Sequence, residues 1–284
     1  MESGKISFIL FSYNEERRIE YAVRNFRPYG EVYVFDGGST DRTREVAETN
    51  GARFILRPAS SKPQVETQEM FLFVKSQVST GYIFWSYVDN LCPARLLDKL
   101  GEIASEGKFK YVSIPLHTYL WGDTARVAQY GRTPCFFHKD FIDFSGNRIH
   151  GMGKFTGSKT QILELPDRPD YAIKHFSVYD MHKFVLSHLR YAETEAEEAF
   201  KAGRRFSWIQ TLGGMARYFF IFSRGWRSNG ENFFSGFLYA FFRFMARLRL
   251  YELEHNITTE GIESEYRKAK LQLLDEIESG GERL

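Results

Sequence analysis

Short apolar runs and helically spaced apolar positions alternate along the first 116 residues of the chain. Each apolar run of about four to eight residues predicts a buried strand, and each stretch with an apolar side chain every three or four residues predicts a helix. Strands that alternate with helices pair in parallel through right-handed crossovers, so the pattern predicts an α/β fold with a mostly parallel central sheet. The predicted strands are residues 5–11, 32–35, 52–56, 81–88 and 111–116.

The pattern changes after residue 116. From 117 to 170, glycine, aromatic and basic residues are mixed without a regular period, which predicts loops and short strands. Helical spacing returns at 181–202, and the chain from 206 to 251 is helical and rich in aromatic residues. We therefore predict an α/β domain at 1–205 and a helical C-terminal appendage at 206–284.

The composition narrows the class of protein. The chain has 284 residues and a formal net charge of +2 at pH 7, which argues against a dedicated nucleic-acid binder. Its N-terminal apolar run is a strand rather than a signal peptide, and its two cysteines form neither a zinc pattern nor a disulfide framework. These features predict a cytoplasmic protein.

Polar residues follow the first two predicted strands at the point where each strand ends. Residues 12–15 read Ser-Tyr-Asn-Glu, and residues 36–41 read Asp-Gly-Gly-Ser-Thr-Asp. Ligands bind at the carboxyl ends of the strands in open α/β sheets, and two glycines let a ligand approach the backbone closely. Asp36 is therefore either a ligand-binding carboxylate or the start of a turn in which Ser39 or Thr40 caps the next helix.

Together the two stretches resemble the nucleotide-sugar half of the family 2 glycosyltransferases. Those enzymes carry Ser/Thr-Tyr-Asn-Glu after strand one and Asp-(Asp/Ser/Gly)-Gly-Ser-Thr-Asp after strand two. The resemblance implies a GT-A fold and inverting transfer of a sugar from a nucleotide-diphosphate donor, expected to be a UDP-sugar. Tyr13, Glu15 and Asp36 are then expected to hold the base and ribose. The nucleotide-binding residues that it implies are Ser12, Tyr13, Asn14, Glu15, Asp36, Gly38 and Ser39.

The resemblance also implies a divalent metal ion. In that family an Asp-X-Asp sequence at the end of the fourth strand holds Mg²⁺ or Mn²⁺, and the aligned residues here are Tyr87, Val88 and Asp89. One carboxylate with the substrate phosphates can hold magnesium, so Asp89 is the expected metal ligand, with His175 as a second. The alternatives are that His175 is a satisfied core histidine, and that the chain is a catalytically silent nucleotide-sugar-binding protein.

Residues 132–151 resemble a branch of the family that acts on lipopolysaccharide or polysaccharide precursors. That branch reads Pro-Arg-(Leu/Ile)-Phe-Arg-Lys and then Val-His-Glu, and here Gly151 replaces the Glu. If that Glu is the usual base, the role falls to His150, Asp143 or Asp140, although both aspartates are equally suited to turns. The acceptor is expected to be a glycan or a lipid-linked sugar; a polyprenyl-phosphate sugar transferase, which needs no base, is the alternative.

The segment 206–250 combines aromatic and basic residues. Nine basic residues face one acid between 201 and 250, and internal arginines interrupt both apolar stretches, so neither can span a bilayer. Aromatic rings beside arginines suit the headgroup layer of a membrane or an interface between subunits. We expect peripheral contact with the inner face of the cell membrane, with a homodimer through 206–250 as the alternative.

Overall fold

The computed structural model describes residues 6–58, 65–147, 151–177, 179–223 and 230–278. The chain divides into two compact units, Met1–Asp180 and Met181–Leu284. The first unit holds the sheet and its helices, and the second is helical. This division confirms the predicted α/β fold with a helical C-terminal region.

The first unit alternates strands and helices up to its fourth helix and then turns to strands. Its strands are β1 (Ile6–Ser12), β2 (Gly30–Asp36), β3 (Arg53–Leu56), β4 (Tyr82–Tyr87), β5 (Asn90–Leu91), β6 (Tyr111–Tyr119), β7 (Gln129–His138), β8 (Ile142–Asp143), β9 (Lys154–Phe155), β10 (Ile162–Glu164) and β11 (Ile173–Phe176). Its α-helices are α1 (Ile19–Phe26), α2 (Thr43–Thr49), α3 (Gln68–Gln77) and α4 (Ala94–Glu106).

Among the described residues, nine strands form one sheet in the order β3-β2-β1-β4-β7-β6-β11-β5, with β10 also paired to β6. The pairs β1·β2, β2·β3 and β1·β4 are parallel, whereas β7 runs antiparallel to both β4 and β6. The register sets Ser12 beside Asp36 and Phe11 beside Tyr87. The carboxyl ends of β1, β2 and β4 therefore meet at one edge of the sheet.

Apolar side chains cover both faces of the sheet. Phe8, Leu10 and Phe84 point to one face and pack with the buried sides of α1 and α4. Ile9 and Trp85 point to the other face and pack with α3. Burial on both faces explains why the strands read as continuous apolar runs. It also fixes the register, because a slip of one residue would exchange the two faces.

The second unit contains α5 (Met181–Lys201), α6 (Trp208–Ser223), α7 (Gly230–Glu254) and α8 (Thr259–Glu278). The ring of His188 on α5 stacks on Phe242 of α7 at 4.5 Å, and Arg243 Nη1 lies 2.6 Å from Glu195 Oε2. These contacts put α5 in the helical unit, which begins at Met181. How far the catalytic domain extends stays a prediction.

Helices α6 and α7 pack closely against each other. The ring of Phe219 lies 5.0 Å from that of Phe237, and a Cβ on Gly236 would lie 2.7 Å from Ser223 Cβ. Glycine thus lets the two helices approach at this point. In the part of the chain that the structure describes, no helix has both the length and the apolar content to cross a bilayer.

Candidate active site

Asp36, at the end of β2, is fully buried and accepts four hydrogen bonds. Oδ1 accepts from the backbone N–H groups of Gly38 (2.9 Å) and Ser39 (2.6 Å). Oδ2 accepts from the hydroxyls of Ser12 and Ser39, each at 2.6 Å. A carboxylate has about four lone-pair sites, so these bonds fill them. These bonds favour the role of Asp36 in the turn, and the role in holding the base and ribose stays a prediction.

The loops after β1 and β2 are joined by further hydrogen bonds. The Asn14 N–H donates to Ser39 Oγ at 2.7 Å, and the Asn14 side chain accepts from the Thr40 N–H at 2.9 Å. The Glu15 N–H donates to the hydroxyl of Thr43 at 2.7 Å. Asn14 has a φ of 56°, in the left-handed region that asparagine tolerates better than most residues. The predicted residues Ser12, Asn14 and Ser39 thus hold the two loops together through hydrogen bonds to other groups of the protein.

Two of the predicted residues, Tyr13 and Gly38, are accessible at the surface of these loops, and a third, Glu15, forms an ion pair there. The ring of Tyr13 is 48% exposed, so one of its faces can take a stacked base. Gly38 has a φ of 92°, and a Cβ there would meet nothing within 4 Å, so its backbone borders open space. The carboxylate of Glu15 pairs with Arg18, whose guanidinium lies 4.2 Å from the ring centre of Tyr179.

Asp89 and His175 lie together where β4 ends. Asp89 Oδ2 is 3.3 Å from His175 Nε2, and His175 Nδ1 is 3.1 Å from the hydroxyl of Thr118. The pairing of β11 with β5, in which His175 faces Asn90, brings the imidazole to this carboxylate. Both side chains are partly exposed, at 28% and 26%, so His175 is not a core histidine.

The Asp89–His175 pair suits a divalent ion that is also bound by a substrate. Asp89 Oδ1 is buried and has no hydrogen-bond partner among the described residues, so one carboxylate oxygen remains available. Carboxylate oxygen and imidazole nitrogen are both ligands of Mn²⁺, and Mg²⁺ prefers oxygen. No group of three or more His, Cys, Asp or Glu side chains positioned for a metal occurs in the described ranges. The remaining ligands would have to be phosphate oxygens and water.

A second carboxylate, which the sequence analysis did not consider, lies beside Tyr87. Glu66 is only 9% exposed, and the Tyr87 hydroxyl donates a short hydrogen bond to it. The side-chain amide of Asn147 donates both to the carbonyl of Glu66 at 3.1 Å and to that of Gly151 at 2.6 Å. The carboxylate of Glu66 therefore lies at Tyr87, and its backbone is joined to Gly151, the two positions where the resemblance expects an acid.

Arg57, also missed from sequence, follows β3 at the same edge. Its N–H donates to the carbonyl of Asp36 at 2.9 Å, which places the residue beside the Asp36 turn. Partial burial lowers the pKa of its guanidinium, and the nearby Asp36 and Tyr87 act in the opposite direction. The signal in the sequence was its position, one residue after a predicted strand.

The structure does not place Asp140 or Asp143 with Asp89. Asp140 follows β7, whose last residue His138 pairs with Tyr82 at the start of β4. Since a strand rises about 3.3 Å per residue, this is roughly 20 Å from the end that carries Asp89. A hydrogen bond from Lys75 holds the pKa of Asp140 below its usual range, which makes it a weaker base.

Asp143 holds a turn. It accepts from the N–H of Ser145 at 2.9 Å and from the Ser145 hydroxyl at 2.8 Å, and both bonds lower its pKa. In this structure Asp140 forms an ion pair with Lys75 and Asp143 holds a turn, and their role as bases stays a prediction. The third predicted base, His150, lies outside the described residues.

Comparisons with known proteins point to sugar transfer. No family model matches the chain. An uncharacterized glycosyltransferase of Rickettsia bellii is 26% identical over 265 residues, which cover 88% of this chain and 87% of that protein. Glycosyltransferase AglJ of Haloferax volcanii is 32% identical over 98 residues, 34% of this chain and 31% of its own length. These relatives support a glycosyltransferase.

Among solved structures, the chain resembles glucosyl-3-phosphoglycerate synthase from Mycobacterium tuberculosis. The TM-score is 0.45 at 15% identity, over 72% of this chain and 81% of that one. That enzyme was crystallised with Mn²⁺, UDP-glucose and phosphoglyceric acid.

The four bonds to Asp36 lead to a prediction about stability. Asp36→Ala leaves the buried hydroxyl of Ser12 and the N–H of Ser39 without their acceptor. We expect the free energy of unfolding to fall by about 2–3 kcal/mol. Urea denaturation followed by circular dichroism measures this change. Tyr13→Ala, at an exposed position in the same loops, should change it by less than about 0.5 kcal/mol. Equal stability of the Asp36 variant and the wild type would contradict the role of this carboxylate.

Proposed function

We propose that this protein is an inverting glycosyltransferase. It moves a sugar from a nucleotide-diphosphate donor, a UDP-sugar, to a hydroxyl of a glycan or lipid-linked acceptor in cell-envelope glycan synthesis. The observation that carries the proposal is the convergence at one sheet edge of the joined loops after β1 and β2 with the Asp89–His175 pair. The likeness to glycosyltransferases over most of both chains supports it. The envelope role rests on the resemblance of residues 132–151.

In this proposal the loops after β1 and β2 hold the nucleoside. Tyr13 offers an exposed ring for stacking on the base, and the open backbone at Gly38 lets the ribose approach. Asp36 acts indirectly, since its four bonds keep both loops in the conformation that presents these groups. Because such a site is preformed, little binding free energy is lost to the ordering of loops when the donor binds.

Asp89 and His175 would hold Mn²⁺ or Mg²⁺ together with the donor diphosphate. When bound, such an ion neutralises the negative charge that the leaving diphosphate gains. The protein contributes one buried carboxylate oxygen and an imidazole whose other nitrogen is fixed by Thr118. The Tyr87 side chain, where the resemblance expects an acid, hydrogen-bonds Glu66 instead.

Glu66 is the base that this geometry offers for the acceptor hydroxyl. Its carboxylate accepts from the Tyr87 hydroxyl, which fixes its orientation, and its backbone is joined to that of Gly151 through Asn147. In sugar transfer it would accept the proton that leaves the acceptor oxygen as that oxygen bonds to the donor sugar. We propose Glu66 for this role ahead of Asp140 and Asp143, which bind Lys75 and Ser145.

Two other functions make different demands on the same residues. A polyprenyl-phosphate sugar transferase uses an acceptor phosphate that is already ionised, so it would not need Glu66. A silent nucleotide-sugar-binding protein would bind the donor without turning it over. The carboxylate at Glu66 favours the glycosyltransferase with a hydroxyl acceptor over both.

The metal proposal predicts the effect of removing Asp89. Asp89→Ala should lower turnover of the nucleotide sugar by at least about a hundredfold, because the leaving diphosphate loses its counter-ion. Hydrolysis or transfer with a panel of nucleotide sugars and Mn²⁺ measures this, and circular dichroism checks the fold. Asp98→Ala, an exposed acid on α4, is the matched control. Full activity of the wild type in excess EDTA would contradict the metal requirement.

The base proposal predicts a separate kinetic effect. Glu66→Gln keeps the shape of the side chain but removes its charge, so kcat should fall by about a hundredfold or more. The dissociation constant for UDP should stay the same, because the base acts on the acceptor. Glu69→Gln, an exposed neighbour on α3, serves as the control. Unchanged kcat in the Glu66 variant would point to an acceptor that needs no base, such as a polyprenyl phosphate.

We further propose that the helical unit contacts a lipid surface through α6 and α7. Apolar side chains recur at helical spacing on the exposed face of both helices, and the side chain of Ile209 is 86% exposed. α6 carries no acidic residue. An apolar face of this size suggests an interaction site. The exposed residues are Trp208, Ile209, Leu212, Phe220 and Ile221 on α6, and Phe233, Phe234, Phe237 and Phe241 on α7.

The basic residues of this segment contribute less to membrane binding than the sequence suggested, because several of them form ion pairs within the unit. Arg243 pairs with Glu195 at 2.6 Å and Arg249 with Glu252 at 2.9 Å. Arg205 and Lys201 also have acidic neighbours. Arg224 and Arg227 lie outside the described residues. Since several charges are neutralised within the unit, we propose that the aromatic residues supply most of the membrane affinity.

This proposal predicts that removing two exposed apolar side chains weakens binding to vesicles more than raising the salt concentration does. Ile209→Ser combined with Phe234→Ser should weaken binding to vesicles at least about tenfold, because two exposed apolar side chains leave the headgroup layer. Co-sedimentation with neutral and anionic vesicles, at low and high salt, measures this. Ile277→Ser, at a position on α8 that is 76% exposed, is the control. The wild-type protein could instead fail to bind vesicles and form a dimer that the double variant disrupts. That result would show that the segment is a subunit interface.

A further inference from the structure

The guanidinium of Arg57 occupies the space above Gly37. A Cβ on Gly37 would lie 2.5 Å from Arg57 Nη2, a distance that no side chain could tolerate without movement. The absence of a side chain at this position therefore lets the guanidinium lie directly on the turn that follows β2. Gly37 lies between Asp36, which fixes the turn, and Gly38, which borders open space.

The N–H donors of the Arg57 guanidinium are available to a ligand. Among the described residues, its side chain makes no hydrogen bond or ion pair, although it is partly buried. The carboxylate of Asp36 is close enough to act on its charge but is already filled by four other donors. An arginine carries five N–H donors and no acceptor, so a partner for it must supply acceptor oxygen or nitrogen.

The surrounding charges favour a neutral acceptor over a phosphate. The buried carboxylate of Asp36 lies close by, and Tyr87, which also acts on Arg57, is hydrogen-bonded to the carboxylate of Glu66. These two negative charges offset the single positive charge of Arg57. A phosphate placed here would meet two carboxylates in a partly buried site, where like charges repel strongly. A carbonyl oxygen of a nucleobase accepts from arginine without that repulsion.

We propose that Arg57 reads the nucleobase of the donor by donating to a carbonyl oxygen on the edge of the base. This inference rests on the proposed function, in which the same turn binds a nucleoside diphosphate. Uracil presents the O4 acceptor where cytosine presents an amino donor, and guanine presents O6 where adenine presents an amino group. An arginine whose donors meet the base at the position of O4 or O6 therefore selects uracil or guanine, and disfavours cytosine and adenine, which carry an amino group there.

UDP and CDP form a matched pair for the test, because they share ribose and diphosphate and differ in the edge of the base. Calorimetry with the full chain and Mn²⁺ should give a dissociation constant for UDP at least about tenfold below that for CDP. Arg57→Ala should weaken UDP binding by about ten- to hundredfold. It should leave CDP binding nearly unchanged, so that the preference disappears. GDP and ADP provide the same comparison in purines.

Two further variants separate base reading from a structural role. Arg57→Gln replaces the cation with an amide that both donates and accepts, so it should also erase the preference between UDP and CDP while keeping a side chain of similar reach. Arg53→Ala removes an exposed arginine at the other end of β3 and should keep the preference. Loss of UDP and CDP affinity by equal factors in both Arg57 variants would overturn the proposal, because it assigns Arg57 to the phosphates, the ribose or the fold.

Failure of this proposal differs from failure of the proposed function. A wild-type protein that binds UDP and CDP equally well keeps the nucleotide site but removes base reading from Arg57. A wild-type protein that prefers CDP or ADP overturns the proposal as well. A wild-type protein that binds none of the four diphosphates, with or without Mn²⁺, removes the nucleotide site itself.

Discussion

The buried carboxylate of Asp36 is the interaction on which the geometry of the candidate site depends. It joins the end of β2 to the end of β1 through Ser12 and to its own turn through Gly38 and Ser39. A buried charge is costly unless it is well hydrogen-bonded, and four donors meet that requirement. Because the same bonds set the path of both loops, Tyr13, Gly38 and the guanidinium of Arg57 all take their positions from this one group.

Local sequence patterns predicted the fold and the location of the candidate site. They did not predict the role of each residue within that site. Apolar runs separated by helical stretches identified the strands, and polar residues at two strand ends marked the edge where Asp36 and Asp89 lie. These signals are contained within about ten neighbouring residues. The pairing of Asp89 with His175, 86 positions later, was expected from a resemblance, and the geometry brings the two side chains together.

Long-range contacts decide much of what a side chain does, and a sequence pattern does not show them. Asp36 had two possible roles from sequence, and its four donors favour the role in the turn. The antiparallel pairing of β7 with β4 places Asp140 at the edge opposite Asp89. The contacts of α5 with α7 show which compact unit this helix joins. No periodicity in a single segment carries this information.

The two departures from the glycosyltransferase pattern become related once the structure is considered. The sequence replaces an acid by Tyr87 and another by Gly151, which together suggested a silent protein. In the structure the Tyr87 hydroxyl holds Glu66, and Asn147 ties the backbone of Glu66 to that of Gly151. One acid from a third segment thus contacts Tyr87 through its carboxylate and is joined to Gly151 through its backbone. The hydroxyl of the tyrosine at 87 makes the contact with that acid. The substitutions therefore agree with a site in which a carboxylate has changed its place in the sequence, and they give no independent reason to infer that the chemistry has been lost.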